Sequence, residues 1–267
     1  MSDAHYRSTL RAAASELCRA RRVLVITGAG LSADSGLPTY RGVGGLYDDV
    51  ATEDGVSIEQ ALSGAMLRRR PELTWKYLLQ IAQACAGREP NQGHRALVEM
   101  ADRFERFTVL TQNVDGLHAR AGSRDLIEIH GNLRRLWCQT CGYEERDPAV
   151  PELAGPPGCP CCGATLRPDV VLFGESLPPA AIERLEQVLD EGVDFVMSIG
   201  TSSGFPYIAG PVAMAARAGL PTLEINPSRT EVSYLVRHRL EARAADALPA
   251  RWELLQPDRC TAPTPAY

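Results

Sequence analysis

Residues 23–33 read VLVITGAGLSA, a short apolar run that ends directly at a glycine turn. A continuous, mostly β-branched run of this length is typical of a parallel strand that is buried on both faces. The turn fits the relaxed G-x-G-x-x-G/A pattern of a backbone that approaches a pyrophosphate, although any tight glycine turn after a strand would look similar. The acidic residue expected about 20 positions later is absent, because Asp48, Asp49 and Glu53 lie in a loop-like region. The stretch therefore predicts the start of an α/β sheet, but not an ordinary dehydrogenase site.

Similar apolar runs recur along the chain. They are FTVLT (107–111), LIEI (126–129), FVMSI (195–199) and TLEI (222–225). Stretches with helical character lie between them, at 57–69, 71–85, 93–104, 179–191 and 207–218. Strands that alternate with helices predict an α/β fold with a doubly wound parallel sheet. We expect a late helix to contain His238.

The composition excludes several classes of protein. The 267 residues suffice for one large α/β domain, or for a larger and a smaller one. The net charge is −5 and the basic residues are scattered apart from Arg68–Arg70, so the basic patch of a nucleic-acid-binding protein is missing. No apolar run approaches the ~18 residues of a membrane span, and the first 22 residues lack the apolar core and cleavage site of a secretion signal. We therefore expect a cytoplasmic protein that binds neither nucleic acid nor membranes.

Five of the eight cysteines crowd between residues 138 and 162. Cys138-x2-Cys141 and Cys159-x2-Cys162 are separated by 17 residues, which fits the spacing of a zinc ribbon with four thiolate ligands. Such a site has no open position for water, so its zinc serves folding and not catalysis. Free buried cysteines are the alternative, and Cys161 could replace Cys162. In a chain without a secretion signal, this clustering favours metal over disulfides and a reducing compartment.

A longer stretch carries a more specific signal. Residues 28–41, GAGLSADSGLPTYR, resemble the GAG-x-S-x-x-SG-I/L-P-x-F/Y-R signature of the sirtuin family. Further segments resemble sirtuin motifs in the proper order: TQNVDGLH (111–118), HG (130–131), RPDVVLFGE (167–175), GTS (200–202) and INP (225–227). Because chance assembly of so many ordered motifs is implausible, the chain is identified as a member of this family, of the bacterial single-domain type.

The resemblance implies a Rossmann-like domain and a smaller domain, with NAD and an acylated lysine entering the cleft between them. The Rossmann-like domain is expected to comprise residues 1–41, 89–132 and 168–256. The smaller domain would combine a helical insertion (42–88) with the zinc ribbon (133–167), and residues 257–267 would form a flexible tail.

The resemblance also implies an enzyme that consumes NAD to remove acyl groups from protein lysines. Nicotinamide leaves the ribose, the acyl oxygen attacks the same carbon, and the products are free lysine, nicotinamide and O-acyl-ADP-ribose. A mono-ADP-ribosyltransferase or an NAD hydrolase on the same fold is an alternative, in which a protein side chain or water captures the ribosyl group. A zinc-ribbon binding module without catalysis is another, against which intact His130, Asn113 and Asp115 argue.

His130 is the candidate general base. It ends the apolar run LIEI and precedes a glycine, which places its imidazole at the carboxyl edge of the sheet, where ligands of open α/β folds bind. An isolated histidine there would more often be a satisfied core residue, but the surrounding motifs favour a base that activates a ribose hydroxyl. By resemblance, Asn113 and Asp115 line the nicotinamide pocket, and His118 orients their loop.

The other site assignments also follow from the resemblance. The expected NAD contacts are Gly28, Ala29, Gly30, Ser32, Ser35, Pro38, Tyr40, Arg41, Gln112, Asn113, Asp115, Gly200, Thr201, Ser202 and Asn226. The expected contacts of the substrate peptide, through strand addition, are Val171, Leu172, Phe173 and Gly174. The family pattern Cys-Pro-x-Cys-Gly selects the structural zinc ligands Cys138, Cys141, Cys159 and Cys162, which leaves Cys161 as a spectator.

Two departures from the family pattern carry information. A proline usually follows the glycine of GTS by seven residues, whereas Pro206 follows Gly200 by six, so this loop is one residue shorter. Sirtuins that remove succinyl and malonyl groups bind the acyl carboxylate with a Tyr-x-x-Arg pair. A DVAT stretch at 49–52 resembles those enzymes, but counting back from PNQGH at 90–94 places Lys76 and Leu79 at the two positions. We therefore predict a preference for acetyl or longer apolar acyl groups over succinyl.

Overall fold

The structure, a computed structural model, describes residues 3–38 and 52–254. The predicted NAD contacts Tyr40 and Arg41, most of the DVAT stretch and the predicted flexible tail 257–267 lie outside the described residues. The other predicted site residues lie within them. None of the helices in the described ranges combines the length and apolar character that a membrane crossing requires.

The strands of the described residues form two sheets. They are β1 (Arg22–Thr27), β2 (Arg106–Thr111), β3 (Asp125–Glu128), β4 (Gly131–Trp137), β5 (Glu144–Arg146), β6 (Arg167–Val170), β7 (Phe195–Ile199), β8 (Thr222–Ile225) and β9 (His238–Leu240). Six of them form a parallel sheet in the order β3-β2-β1-β7-β8-β9. The chain builds outwards from β1 to β3 and then from β7 to β9, so the winding direction changes between β1 and β7. This is a doubly wound, Rossmann-like sheet, and the predicted fold class is confirmed.

Helices cover both faces of the parallel sheet. The helices are α1 (Asp3–Leu17), α2 (Ala29–Ala33), α3 (Ile58–Ala61), α4 (Gly64–Arg69), α5 (Pro71–Cys85), α6 (Gln92–Ala101), α7 (Leu117–Ala121), α8 (Pro179–Asp190), α9 (Pro206–Arg217) and α10 (Ala244–Leu254), with a 3-10 turn at Val150–Glu152. Val23 and Val25 of β1 pack with α1, α6 and α10, whereas Leu24 and Ile26 pack with α8 and α9. Successive side chains of a strand point to opposite faces, so the fully apolar run of β1 serves two cores at once.

A second sheet of three antiparallel strands, in the order β5-β4-β6, packs against α3, α4 and α5. Trp75 of α5 lies at its centre, fully buried, with its indole nitrogen donating to the Leu166 carbonyl at 3.2 Å. Cys138 and Cys159 are part of the same core. The described residues thus form three cores, one on each face of the parallel sheet and one around the small sheet. The predicted domain boundaries stay a prediction.

Two local predictions are wrong. The helix expected over 57–69 is divided into α3 and α4, because the Ser63 hydroxyl accepts a hydrogen bond from the Met66 amide at 3.1 Å and so begins a new helix. His238 lies in β9 and not in a helix, where it pairs with Leu223 of β8. A strand of three residues is too short to leave a periodic signal in the sequence.

Candidate active site

A cleft of about 910 Å³ opens where the parallel strands end. The residues that line it from the turns after β1, β2, β3, β7 and β8 are Gly28, Gln112, His130, Gly200 and Asn226. The opposite wall is apolar. It consists of residues from the end of α3, from α5 and from the small sheet with the segment after β6, namely Leu62, Leu78, Ile81, Leu133, Val170 and Leu172. The cleft therefore lies at the point where the winding changes direction, which is where open α/β sheets bind ligands.

The turns after β1 and β7 are in direct backbone contact. The Gly28 amide donates to the Ile199 carbonyl at 3.1 Å, and the Gly30 amide donates to the Gly200 carbonyl at 2.8 Å. A Cβ atom on Gly30 would lie 2.8 Å from the Gly200 Cα, so any side chain there would push the two turns apart. Because glycine backbone from both turns lines the cleft, a pyrophosphate can approach the main chain closely at this point.

Asn113 and Asp115 meet at Ser32. The side-chain nitrogen of Asn113 (Nδ2) donates to the Ser32 hydroxyl and to the Gly28 carbonyl, both at 3.0 Å. The Ser32 hydroxyl in turn donates to an Asp115 carboxylate oxygen at 2.6 Å. Burial raises the pKa of Asp115, while the hydrogen bonds from Ser32 and from the Leu117 amide oppose this rise. Asn113, Asp115 and Ser32 also line a small adjoining cavity of about 80 Å³, which offers amide and carboxylate groups to a carboxamide.

Thr201 connects the predicted ribose contacts. Its hydroxyl accepts a hydrogen bond from the Gln112 side chain at 2.7 Å, and its carbonyl accepts one from the Asn226 side chain at 3.0 Å. Thr201 is buried, whereas the neighbouring Ser202 is exposed at the cleft. Gln112 and Asn226 are thus fixed to the loop after β7 from two sides, which holds that loop against the turns after β2 and β8.

His130 has partners on both ring nitrogens. Nδ1 lies 3.0 Å from the Gln112 carbonyl oxygen, and Nε2 lies 2.7 Å from the Tyr207 hydroxyl. A carbonyl only accepts hydrogen bonds, so Nδ1 carries the proton and the neutral ring keeps its lone pair on Nε2. Burial lowers the pKa of His130, against the opposing effect of the Gln112 carbonyl. The imidazole is therefore neutral at neutral pH, which is the state that a general base requires.

Tyr207 and Phe205 are cleft residues that the sequence motifs did not indicate. Both rings contact His130 edge to face, with centroid distances of 5.9 Å for Tyr207 and 6.0 Å for Phe205. The only departure from the family pattern near them in sequence is the loop between Gly200 and Pro206, which is one residue shorter.

Comparison with known proteins shows the family of this chain. A sequence model of the Sir2 family matches residues 28–205, well over half of the chain. The chain belongs to the Sir2 family.

Relatives of this Sir2 family chain cover almost its whole length. NAD-dependent protein deacylase 2 of Pseudomonas aeruginosa is 50% identical over 251 residues, which are 92% of this chain and 96% of the relative. NAD-dependent protein deacylase of Thermus thermophilus is 40% identical, over 90% of this chain and 92% of the relative. Among solved structures, a Sir2 homologue in complex with NAD is 30% identical with a TM-score of 0.80, and covers 95% of this chain and 94% of its own. The resemblance inferred from the motifs is confirmed.

Behind the site of this Sir2 family chain, two buried histidines touch. The His94 and His118 rings lie 4.9 Å apart, and His118 Nε2 lies 2.9 Å from the Thr27 hydroxyl at the end of β1. Burial lowers the pKa of His94 to about 4 and that of His118 to about 3. His118 thus ties the loop that carries Asn113 and Asp115 to the central strand, which agrees with an orienting role.

The segment 171–174 is already partly paired. The Phe173 amide donates to the Leu62 carbonyl at 3.0 Å, and the Phe173 carbonyl accepts from the Gly64 amide at 3.1 Å. Within the described residues, no backbone hydrogen bond is made by the Val171 carbonyl or by Gly174. Strand addition by a peptide therefore has these two residues available and not the backbone of Phe173.

A buried ion pair fixes the same segment. Arg167 forms two hydrogen bonds with Glu175, at 2.7 and 2.8 Å, and Glu175 also accepts from the Leu172 amide at 3.0 Å. These bonds lower the pKa of Glu175 in spite of its burial. The loop is therefore held in place before any substrate binds.

The four predicted zinc ligands come together. The sulfurs of Cys138, Cys141, Cys159 and Cys162 all lie within 4.8 Å of one another. The pairs Cys138–Cys162 and Cys141–Cys159 are 3.5 Å apart, close to the ~3.8 Å that Zn–S bonds of about 2.3 Å give in a tetrahedron. The fifth cysteine, Cys161, is exposed and outside this group. The donor set fits a structural zinc ion.

The two halves of the cysteine cluster have the same backbone geometry. The Gly142 amide donates to the Cys138 carbonyl, and the Gly163 amide donates to the Cys159 carbonyl, each at 2.9 Å. Both glycines have a positive φ, 74° and 75°, which residues with a side chain rarely adopt. Two equivalent knuckles thus point their thiols at one position.

Proposed function

We propose that this chain is an NAD-dependent protein-lysine deacylase that removes acetyl and longer apolar acyl groups. The observation that carries this proposal is the position of His130, whose unprotonated Nε2 lies in a cleft between the glycine turns and the partly paired segment 171–174. Relatives of the same family, at up to 53% identity, are named NAD-dependent protein deacylases.

NAD supplies the ribosyl carbon that exchanges nicotinamide for the acyl oxygen. In our proposal, the turns at Gly28–Gly30 and Gly200–Ser202 hold the pyrophosphate, and Gln112 and Asn226 hold the riboses. Asn113 and Asp115, with Ser32 and Pro38 in the same small cavity, hold the carboxamide. The Ser35 hydroxyl instead accepts a hydrogen bond from the Asn91 side chain at 3.0 Å. The tight links among Ser32, Asn113 and Asp115 keep these groups oriented before the substrate arrives.

His130 would take the proton of a ribose hydroxyl on Nε2. The positive charge that then develops on the ring is stabilised by the Gln112 carbonyl, which accepts a hydrogen bond from Nδ1 at 3.0 Å. Burial keeps the free imidazole unprotonated at neutral pH, because it lowers the pKa of His130. The ring is therefore available as a base each time that substrate binds.

The apolar wall of the cleft supports a neutral acyl group. Leu79, at the position where an arginine would bind a succinyl carboxylate, is buried in the core of the small sheet. Lys76 is engaged by Glu53 at 2.7 Å and by Asp54 at 2.6 Å on the surface. Leu62, Leu78 and Ile81 line the cleft from the same side. Among the described residues of this wall an acyl carboxylate finds no charged partner, and leaving such a charge unpaired costs several kcal/mol.

The partners of the proposed enzyme are proteins with acylated lysines, and we propose neither nucleic-acid nor membrane partners. The cysteine cluster supports a structural zinc ion and, with it, a reducing compartment such as the cytoplasm, because the thiols must stay unoxidised to bind metal.

The test is nicotinamide release in the presence of a peptide with one acetyl-lysine. We expect release that depends on the acetyl group, with the matched unacetylated peptide as the control. Mass analysis of the peptide separates the alternatives. A peptide that gains ADP-ribose would indicate a transferase, and release of nicotinamide without any peptide would indicate an NAD hydrolase.

A further inference from the structure

The acceptor nitrogen of His130 is occupied in the free protein. Because the Gln112 carbonyl fixes the proton on Nδ1, the 2.7 Å contact between Nε2 and the Tyr207 oxygen is a hydrogen bond donated by the phenol. Burial raises the pKa of Tyr207 to about 12, so the phenol keeps the proton that it donates. The proposed base therefore already has a donor on its only lone pair.

The start of α9 places Tyr207 there. The loop after β7 includes Ser203 with a φ of 55°, a left-handed conformation that is uncommon for a residue with a side chain. Phe205 is the N-cap residue of α9, and Pro206 lies in the first turn of the helix. The rings of Phe205 and Tyr207 are stacked 5.4 Å apart with an interplanar angle of 12°. The phenol is thus held by the backbone and by a neighbouring ring, independently of its hydroxyl.

A neutral imidazole has a single in-plane lone pair, so two hydroxyl donors cannot share it. A ribose hydroxyl that passes its proton to Nε2 must approach the site that the Tyr207 hydroxyl fills. The phenol oxygen lies in the plane of its ring, so the ring itself must tilt to release Nε2. Tyr207 lines the cleft and is only partly buried, which leaves the ring room to tilt when a ligand arrives.

We propose that the Tyr207 hydroxyl is a placeholder for the ribose hydroxyl, a positioning group that satisfies His130 Nε2 in the free enzyme and is displaced when the nucleotide binds. This inference rests on the proposed function, which makes Nε2 the acceptor of a ribose proton. The displacement lowers the affinity for the nucleotide, since binding must break the hydrogen bond between Tyr207 and His130.

The test is a double-mutant cycle with Tyr207→Phe and His130→Ala, read by calorimetric titration with ADP-ribose. Phenylalanine keeps the ring stack and removes only the hydroxyl. We expect Tyr207→Phe to bind ADP-ribose about 2- to 10-fold more tightly than the wild type, the range of one net hydrogen bond. In the His130→Ala background, the same substitution should leave the affinity unchanged. Tyr234→Phe, at an exposed tyrosine, is the matched control and should have no effect.

Three results would overturn the placeholder: unchanged affinity in both backgrounds, weaker binding by Tyr207→Phe, or a gain that persists without His130. Thermal melts of all variants show whether each is folded. Binding needs no turnover, so the cycle can be interpreted even if the wild type fails to deacylate a peptide, and the two proposals can fail separately.

Discussion

The two sheets of this protein are stabilised in different ways. The parallel sheet has its central strands buried on both faces, so that every residue of β7 and β8 is inaccessible to solvent. The small antiparallel sheet has an exposed edge strand, β5, and its core includes two of the four clustered cysteines. We therefore expect hydrophobic burial to hold the first sheet by itself, and the second to need zinc in addition to its smaller core. The proposed site lies between the two sheets. When zinc is removed, we therefore expect the NAD-binding residues of the parallel sheet to stay folded after the residues that contact the acyl group have unfolded.

The largest expected effect is the loss of the small sheet. Cys138→Ala or Cys159→Ala should abolish zinc binding, and structural zinc sites contribute about 10–16 kcal/mol of apparent folding free energy. Hydrogen exchange should then become fast in β4 and β6 while β1, β2 and β7 stay protected. Cys161→Ser is the control, and its zinc content and melting temperature should match the wild type. An active, folded wild-type sample with zinc content near zero would contradict the structural role of the metal.

The second effect separates chemistry from folding. His130→Ala should lower the deacylation rate by roughly 10²–10⁴-fold, the usual contribution of a general base. Its melting temperature and its affinity for NAD should stay close to those of the wild type, because the ring lines the cleft and is only partly buried. Near-normal turnover of this variant would remove His130 from the role of base.

The third effect is a pH dependence of the parallel sheet. Burial holds the pKa of His94 near 4 and that of His118 near 3, whereas an unfolded histidine titrates near 6.5. Below about pH 6.5 the unfolded chain therefore binds protons that the folded chain does not, so the free energy of unfolding falls as the pH drops from 6.5 towards 4. Each histidine contributes at most about 1.4 kcal/mol per pH unit.

Urea titrations at pH 7, 6 and 5 measure this dependence. His94→Gln should reduce the loss, since the unfolded chain then takes up one proton fewer. His130, whose pKa is also lowered by burial, contributes to the loss in the same direction. Carboxylates with lowered pKa values, such as Glu16 and Asp194, add to the loss only below about pH 4.5. A free energy of unfolding that is constant between pH 7 and pH 5 would show that the histidine pair does not titrate as described.

The smallest expected effect concerns the acyl group. The same peptide is tested with butyryl-lysine and with succinyl-lysine. The two acyl groups have the same number of carbons, but only succinyl ends in a carboxylate. We expect kcat/KM to be at least about 10-fold lower for succinyl, because the wall formed by Leu62, Leu78 and Ile81 offers no cation. A higher kcat/KM for succinyl would show that a charged group reaches the pocket.

The sequence was most informative where a segment is buried on both faces. FVMSI at 195–199 and TLEI at 222–225 match β7 and β8 to the residue, and the helix expected at 71–85 matches α5. The small sheet was not predicted as strands, because β5 is largely exposed and β6 contains a proline, so neither shows a clear apolar pattern. The cysteine spacing nevertheless indicated the four-cysteine cluster beside this sheet.

The site shows the same limit. The motifs pointed to His130, Asn113 and Asp115, because each directly follows a buried strand or lies in a recognisable loop. Tyr207 was missed, because it is 77 residues from His130 in sequence and meets it only through the folding of the loop after β7. Contacts between distant segments leave no local pattern in the sequence.

The most direct test of the account is the product balance with an acetyl-lysine peptide. Nicotinamide, deacetylated peptide and O-acetyl-ADP-ribose, quantified together by mass spectrometry, should appear in equal amounts with the wild type. All three should fall together by the same factor in His130→Ala. Nicotinamide that appears with free ADP-ribose while the peptide stays acetylated would contradict the proposed deacylase.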